Sequence, residues 1–173
     1  MKRNIIVVFL LISFFCAILF CLFCCFRASK KYDSIVEKYA LNYKLDEALI
    51  FAVIKAESGF DEKAVSRSGA IGLMQLMPST AKWIADEIGK VDFSDNDLFD
   101  AETNIEFGCF YLNYLFKRFN DMKVVICAYN AGETVVGDWL DDNGRLNEEN
   151  ILYKETAVYL SKVLKYFEYY KNL

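Results

Sequence analysis

The strongest constraint on this chain is an apolar helix stripe that ends in a glutamate. Four residues recur at helical spacing and must face a core: Leu49, Ile50, Val53 and Ile54. Asp46 is a good N-cap for this helix, and Gly59 stands where a left-handed residue would end it. Glu57 follows Val53 by four residues, so its carboxyl lies on the buried face. A carboxylate there costs free energy unless it is paired or hydrogen-bonded, so Glu57 needs an explanation.

Two features of this position predict a raised pKa for the Glu57 carboxyl. It lies in the last turn of the helix, near the negative end of the dipole, and its neighbours are apolar. A carboxylic acid that stays protonated near neutrality suits general acid catalysis. The alternative is a glutamate that reaches solvent or pairs with Lys63 or Arg67, and spacing alone does not separate the two interpretations.

The rest of the pattern downstream of residue 31 is also helical. Apolar residues recur at helical spacing in residues 32–43, between Ser79 and Gly89, after Asp100, and in residues 160–167. Ser79 and Asp100 are candidate caps for two of these helices. Residues 90–99 are rich in Asp and predict a loop with at most one helical turn, and residues 141–144 predict a turn. Residues 122–129 are apolar but short, so periodicity leaves helix and strand open. We predict an all-α domain.

A different constraint comes from the N-terminal segment. Residues Ile5–Phe26 form a run of 22 residues with no charge and one serine, and about 20 apolar residues span a bilayer as a helix. Its apolar core is too long for a cleaved signal peptide, and no small-x-small cleavage site follows it. A lipoprotein site at Cys21 is disfavoured by the bulky Phe20. We therefore predict an uncleaved signal anchor in residues 1–31 and one globular domain in residues 32–173.

Composition excludes several classes of function. Residues 1–31 contain five basic and no acidic residues, which leaves 15 basic and 24 acidic residues in 32–173. This acidic balance argues against a nucleic acid partner. The chain contains no histidine, which excludes His-based triads and His-ligated zinc, and we expect no metal or cofactor. Cys109 and Cys127 lie in apolar runs and predict two buried thiols, with one disulfide as the alternative.

Several short motifs occur in order along the domain. They are Glu57-Ser58, Ser66, GAIGLMQLMP at 69–78, AYNAG at 128–132 and ETAVY at 155–159. In this order they resemble the soluble-type lytic transglycosylases of glycoside hydrolase family 23, which share a lysozyme-like domain with goose-type lysozyme. The resemblance extends from about Ile35 to Tyr166 and implies a lysozyme-like helical fold.

The resemblance also implies roles for individual residues. Glu57 matches the catalytic acid and base. Seven further residues match positions that contact the glycan or line its cleft: Ser66, Gln75, Met77, Tyr129, Asn130, Glu155 and Tyr159. Taken singly, most have a structural alternative, such as a core aromatic for Tyr129 or a solvent-facing side chain for Gln75. The chain departs from the family pattern at Ala157, where arginine is usual, which concerns the neighbouring substrate subsite rather than the acid.

The implied activity is that of a peptidoglycan lytic transglycosylase. Such an enzyme cleaves the β-1,4 bond between MurNAc and GlcNAc and leaves a 1,6-anhydro-MurNAc end. Most glycosidases use a second carboxylate, and none stands at a convincing place in this sequence. We expect peptidoglycan glycan strands as substrate and a membrane-anchored domain outside the cytoplasm, where the cell wall lies. A lysozyme-type hydrolase of the same fold and a non-catalytic cell-wall-binding protein remain as alternatives.

Overall fold

The computed structural model, which describes Phe14 and residues 30–173, is helical throughout its continuous part. Seven α-helices lie there: α1 Asp33–Tyr43, α2 Glu47–Glu57, α3 Pro78–Glu87, α4 Ala101–Phe119, α5 Met122–Ala131, α6 Glu133–Gly137 and α7 Lys154–Lys171. Two 3₁₀ turns occupy Asp95–Phe99 and Glu148–Asn150. Over residues 30–173 there are isolated β-bridges but no β-strand. The predicted all-α class is confirmed, and the segment that periodicity left open is the helix α5.

The chain divides into two compact units, Met1–Ser34 and Ile35–Leu173. Apart from Phe14, the predicted anchor Ile5–Phe26 lies outside the described residues. Among the helices that are described, none combines the length and the apolar character needed to cross a membrane. The division into an anchor in 1–31 and a catalytic domain in 32–173 therefore stays a prediction.

Local capping explains where the main helices begin and end. The Asp46 carboxylate accepts a hydrogen bond from the backbone N–H of Ala48 at 2.9 Å, as predicted for an N-cap of α2. Gly59 just beyond this helix has a φ of 62°, the left-handed conformation that glycine tolerates. The Asp100 carboxylate caps α4 in the same way by accepting from Thr103 N–H at 2.8 Å.

The predicted cap of α3 is wrong. The helix begins at Pro78, with Met77 in the N-cap position and no side-chain cap, so Ser79 lies inside the first turn. Proline is favoured at this point because its fixed φ is helical and its missing N–H would have no partner there. Cys109 and Cys127 are both buried free thiols, which confirms the prediction made for them.

The core is built around α2. This helix packs along α7, and α5 contacts both α4 and α7. Eight of the eleven residues of α2 are buried, and burying a Leu, Ile or Val side chain contributes about 1.5–3 kcal/mol. The end of α2, where Glu57 lies, is therefore held by the best-packed part of the domain.

The loop between α2 and α3 is fixed by a buried asparagine of α4. The Asn104 amide donates to the carbonyls of Ile71 at 3.0 Å and Leu98 at 2.8 Å, and its Oδ1 accepts from Met74 N–H at 2.7 Å. Gly72 has a φ of 81°, and a Cβ there would lie 2.2 Å from Asn104 Nδ2. The loop approaches α4 so closely that only glycine fits at this position. The residues that follow Gly72 are thereby held in one conformation.

Candidate active site

Glu57 is the last residue of α2 and is hydrogen-bonded from α7. The Tyr159 hydroxyl donates to Glu57 Oε1 at 2.6 Å, and the tyrosine itself is buried. Within residues 30–173, no ion pair joins Glu57 to Lys63 or Arg67. The glutamate therefore has a neutral hydrogen-bond donor as its partner rather than a salt bridge to its own loop.

Burial raises the pKa of the Glu57 carboxyl to about 7. The Glu155 carboxylate acts in the same direction, while the Tyr159 hydrogen bond and the Lys162 ammonium act against it. Apolar neighbours and the helix dipole predicted the same direction for the Glu57 pKa. In the folded chain, burial is the largest cause. A carboxyl with this pKa exchanges a proton readily near neutral pH, as a group acting first as acid and then as base must.

Tyr129 and Asn130, near the end of α5, join the helix to the rest of the site. The Tyr129 hydroxyl donates to the Met74 carbonyl at 2.9 Å. Burial, followed by the nearby charge of Glu57, raises the pKa of this hydroxyl well above its usual value, so it stays neutral. Asn130 Oδ1 accepts from the Thr156 hydroxyl at 2.8 Å. Both side chains hold α5 in place against the loop and α7.

Ser66 and Gln75 are engaged in shaping the loop that carries them. Ser66 Oγ accepts from the backbone N–H of Ala70 at 2.9 Å. Gln75 Nε2 donates to the carbonyls of Ala64 at 3.1 Å and Gly72 at 2.8 Å. The solvent-facing alternative for Gln75 is therefore wrong. A serine hydroxyl can donate while it accepts, so Ser66 keeps the capacity to bind a sugar oxygen.

A groove brings four of the predicted site residues together. Its pocket has a cavity volume of about 210 Å³ and is lined by Gln75, Leu76, Met77, Thr80, Tyr111, Tyr129, Asn130, Ala131 and Gly132. Met77 is 40% exposed and forms part of the wall. Glu57, Ser66, Glu155 and Tyr159 are not among these lining residues, but the charge of Glu57 acts on the Tyr129 hydroxyl, which belongs to the groove.

A second, larger pocket adjoins this groove and was not predicted from the sequence. Its cavity volume is about 410 Å³, and it shares Thr80 and Tyr111 with the first while adding Ser79, Trp83, Tyr114 and Glu133. Ring contacts continue from one pocket into the other, with centroid distances of 5.4 Å for Tyr111–Tyr129 and 5.0 Å for Trp83–Tyr114. Glu57 lines neither pocket, but its charge acts on Tyr129, which belongs to the smaller groove and not to the larger pocket.

Glu133 gives this second pocket a fixed polar group. Both of its carboxylate oxygens accept from the Tyr114 hydroxyl at 3.0 Å, and Arg118 pairs with one of them at 3.0 Å. Aromatic faces beside an oriented carboxylate suit a neutral ligand with hydroxyl groups, such as a sugar. The available sequence signal was the i, i+3 spacing of Tyr111 and Tyr114, which places both rings on one face of α4.

Residues 30–173 contain no group of three or more His, Cys, Asp or Glu side chains arranged to hold a metal ion.

Comparisons with known proteins point to one family. The Transglycosylase SLT domain family matches residues 34–152. The chain is 33% identical over 147 residues to the soluble lytic murein transglycosylase of Escherichia coli K12. This match covers 81% of the present chain and 23% of the relative. It is 36% identical over 116 residues to the membrane-bound lytic murein transglycosylase C of Photorhabdus laumondii, covering 61% of this chain and 32% of the relative.

A solved structure has the same fold. It is the X-ray structure of an inactive glutamate-to-glutamine mutant of the lytic transglycosylase Slt from Pseudomonas aeruginosa, with 36% sequence identity and a TM-score of 0.75. The match covers 82% of this chain and 24% of that chain. The chain thus spans about a quarter to a third of the length of these relatives.

Proposed function

The chain belongs to the Transglycosylase SLT domain family, and from this premise we propose that it is a peptidoglycan lytic transglycosylase with Glu57 as its acid and base. The observation that carries the proposal is the state of Glu57, a half-buried carboxyl with a pKa of about 7 at the end of a helix whose other residues are mostly buried. The relatives named as lytic murein transglycosylases support the same reaction. A related enzyme with a glutamate changed to glutamine is inactive, which supports a glutamate as the central group.

In the proposed reaction, Glu57 protonates the glycosidic oxygen between MurNAc and GlcNAc. Positive charge develops at the anomeric carbon of MurNAc as the bond breaks. The ionised Glu57 then takes the proton of the sugar's own 6-hydroxyl, whose oxygen closes the 1,6-anhydro ring. The Tyr159 hydrogen bond orients the carboxyl throughout, and the groove around Gln75 and Asn130 would hold the sugar ring so that intramolecular attack is faster than attack by water.

The surroundings of Glu57 favour this route over hydrolysis. Most glycoside hydrolases use a second carboxylate to form a covalent intermediate or to activate water. Among the described acids, Glu155 raises the Glu57 pKa, but its side chain is exposed. It lies on α7, the same helix as Tyr159, and not on the side of the site opposite that tyrosine. Asp61 is used in its own loop, where it accepts from Lys63 N–H at 2.9 Å.

We also propose how the substrate is brought to the site. The glycan strand would run from the Gln75–Asn130 groove into the pocket of Trp83 and Glu133, where further sugars stack on aromatic rings. Residues Ile5–Phe26 would anchor the chain as a single-pass segment, with the domain outside the cytoplasm. The apolar run itself and the relative named as membrane-bound support this topology.

The test is product analysis after digestion of purified peptidoglycan in ¹⁸O-water. Intramolecular attack gives anhydro ends, lighter by one water and without the label. Reducing ends that carry the label would make the protein a lysozyme-type hydrolase. Binding to peptidoglycan with no cleavage at all would make it a wall-binding protein.

A further inference from the structure

A lysine of α7 contacts the end of the helix that carries Glu57. The Lys162 ammonium donates a hydrogen bond to the backbone carbonyl of Ala56 at 2.6 Å, one residue before the glutamate. The last carbonyls of a helix have no partner inside the helix, and a cation there meets the negative end of the dipole. Lys162 therefore satisfies a carbonyl at the end of α2 and also places a positive charge beside Glu57.

The titratable groups that face Glu57 come from two helices. On α7, Glu155, Tyr159 and Lys162 follow one another at spacings of four and three residues, which places them along one side of the helix. On α5, Tyr129 faces Glu57 with a hydroxyl that burial keeps neutral. Among these four groups, Lys162 is the only one that carries positive charge. The Tyr159 hydrogen bond also favours the ionised carboxylate but brings no charge, and Glu155 is negative. Of these groups, only Lys162 therefore offsets the charge of an ionised Glu57.

We propose that Lys162 is a positioning residue that allows Glu57 to act both as acid and as base. The proposal rests on the function proposed above, in which Glu57 gives up a proton and then takes one back. Between these two steps the half-buried carboxylate is ionised, which is unfavourable unless hydrogen bonds and a nearby positive charge compensate it. Lys162 supplies that charge while its ammonium donates its hydrogen bond to the Ala56 carbonyl, so the carboxylate is not held in a salt bridge and stays able to reach the substrate.

The exposure of Lys162 gives this role a distinct signature. Its side chain is exposed to solvent, so salt screens its field more than the field of a buried charge. A lysine that only packed against α2 would affect stability in a way that does not depend on salt. A lysine that acts through its charge changes the pH dependence of the reaction, and that change becomes smaller as salt is added.

The test compares pH profiles of kcat/KM for the 173-residue chain and three variants. Removing the positive charge raises the pKa of Glu57, so the alkaline limb, which reports loss of the protonated acid, moves to higher pH in Lys162→Gln. We expect a displacement of at least about 0.3 pH unit at low salt, and a smaller one at high salt. Lys162→Arg keeps the charge and should keep the wild-type limb. Lys165→Gln removes an exposed lysine one turn further along α7 and should also leave the limb in place.

A Lys162→Gln profile that coincides with the wild-type profile overturns the proposal, and so does an equal displacement in Lys165→Gln. Lys162→Met serves as the second charge-free variant if the glutamine variant does not fold. An NMR titration of ¹³C-labelled glutamate carboxyls, with Glu57→Gln used to assign the signal, reads the Glu57 pKa without turnover. If the wild-type chain does not cleave peptidoglycan, the proposed function fails, while this titration still decides the role of Lys162.

Discussion

At the scale of single residues, the raised pKa of Glu57 has a consequence for stability. Its carboxyl has a pKa of about 7 in the folded chain against an ordinary value of 4.5. The folded state therefore holds this proton more tightly than the unfolded state does. The stability that Glu57 contributes is fully present below about pH 4.5 and is lost as the pH rises through about 7, because the ionised carboxylate must then stay partly withdrawn from water.

This linkage predicts that the stability of Glu57→Gln, compared with that of the wild type, depends on pH. Glutamine keeps the size and can still accept from Tyr159, but it cannot ionise. Relative to wild type, the variant should become more stable as the pH rises from 4 to 8, by up to roughly 3 kcal/mol, which corresponds to the size of the pKa shift. Urea unfolding at pH 4, 6 and 8 measures the difference. A difference that does not change with pH would mean that Glu57 titrates like an exposed glutamate.

The same variant should lose its activity. Without the proton of Glu57, cleavage of peptidoglycan should fall by at least about 10²-fold, the typical worth of a general acid. Glu47→Gln is the matched control, since it removes an exposed carboxylate at the other end of α2. Release of soluble muropeptides per unit time is the measurement for both variants. Near-normal turnover of Glu57→Gln would remove this residue from the mechanism.

At the scale of elements, the site depends on a loop that is fixed from outside. Three hydrogen bonds of Asn104 connect the loop to α4 and to the Asp95–Phe99 turn. Because this asparagine is fully buried, each of its bonds is costly to leave unmade. The conformation of Gln75, with a φ of 49°, is set by this anchoring together with its own two hydrogen bonds.

Two glycines of this loop provide a matched comparison. Gly72 and Gly69 both have positive φ, but a Cβ on Gly72 would lie 2.3 Å from the Leu98 carbonyl, whereas a Cβ on Gly69 would meet nothing within 4 Å. Gly69→Ala should cost about 1–2 kcal/mol of backbone strain. Gly72→Ala should cost roughly 1–3 kcal/mol more, since the loop must move away from α4. Urea unfolding measures both, and equal losses would show that the close approach to α4 is unimportant.

The contrast between these elements explains what the sequence could predict. Asp46 and Asp100 act on backbone groups two or three residues away, so the starts of α2 and α4 can be predicted from local residues. The contact between Tyr159 and Glu57 joins residues 102 positions apart, and only the family resemblance brought them into one site. The pocket of Trp83 and Glu133 was missed because residues of α3, α4 and α6 line it together, and no single stretch of sequence encodes that packing.

This second pocket leads to a prediction about substrate length. Trp83→Leu keeps an apolar side chain against the core but removes the ring that a distal sugar would stack on. Activity on long glycan strands should fall by about 2–10-fold, while activity on short fragments should not change. Lys82→Ala, an exposed neighbour on α3, is the control. Equal losses on long and short substrates would indicate a packing effect, and no loss on either would remove the pocket from the binding path.

At the scale of the whole molecule, the charges of the two parts of the chain differ. Residues 1–31 carry only basic charge, on both sides of the run Ile5–Phe26, so charge does not fix the orientation of the predicted anchor. Residues 32–173 carry a net charge of −9. The orientation follows instead from the proposed substrate, since peptidoglycan lies outside the cytoplasmic membrane and the groove must face it.

We therefore predict that the anchor remains in the mature protein, with residues 32–173 outside the cytoplasm. Protease added to intact protoplasts should digest the domain, because the membrane does not shield it, while a cytoplasmic marker protein stays whole. Mass spectrometry of the membrane fraction before digestion should find the N-terminal segment still attached, since its apolar core is too long for a signal peptide. Digestion of the domain only after lysis would place it on the cytoplasmic side. A mature chain that lacks residues 5–26 would replace the anchor with a cleaved signal and would leave the domain free of the membrane.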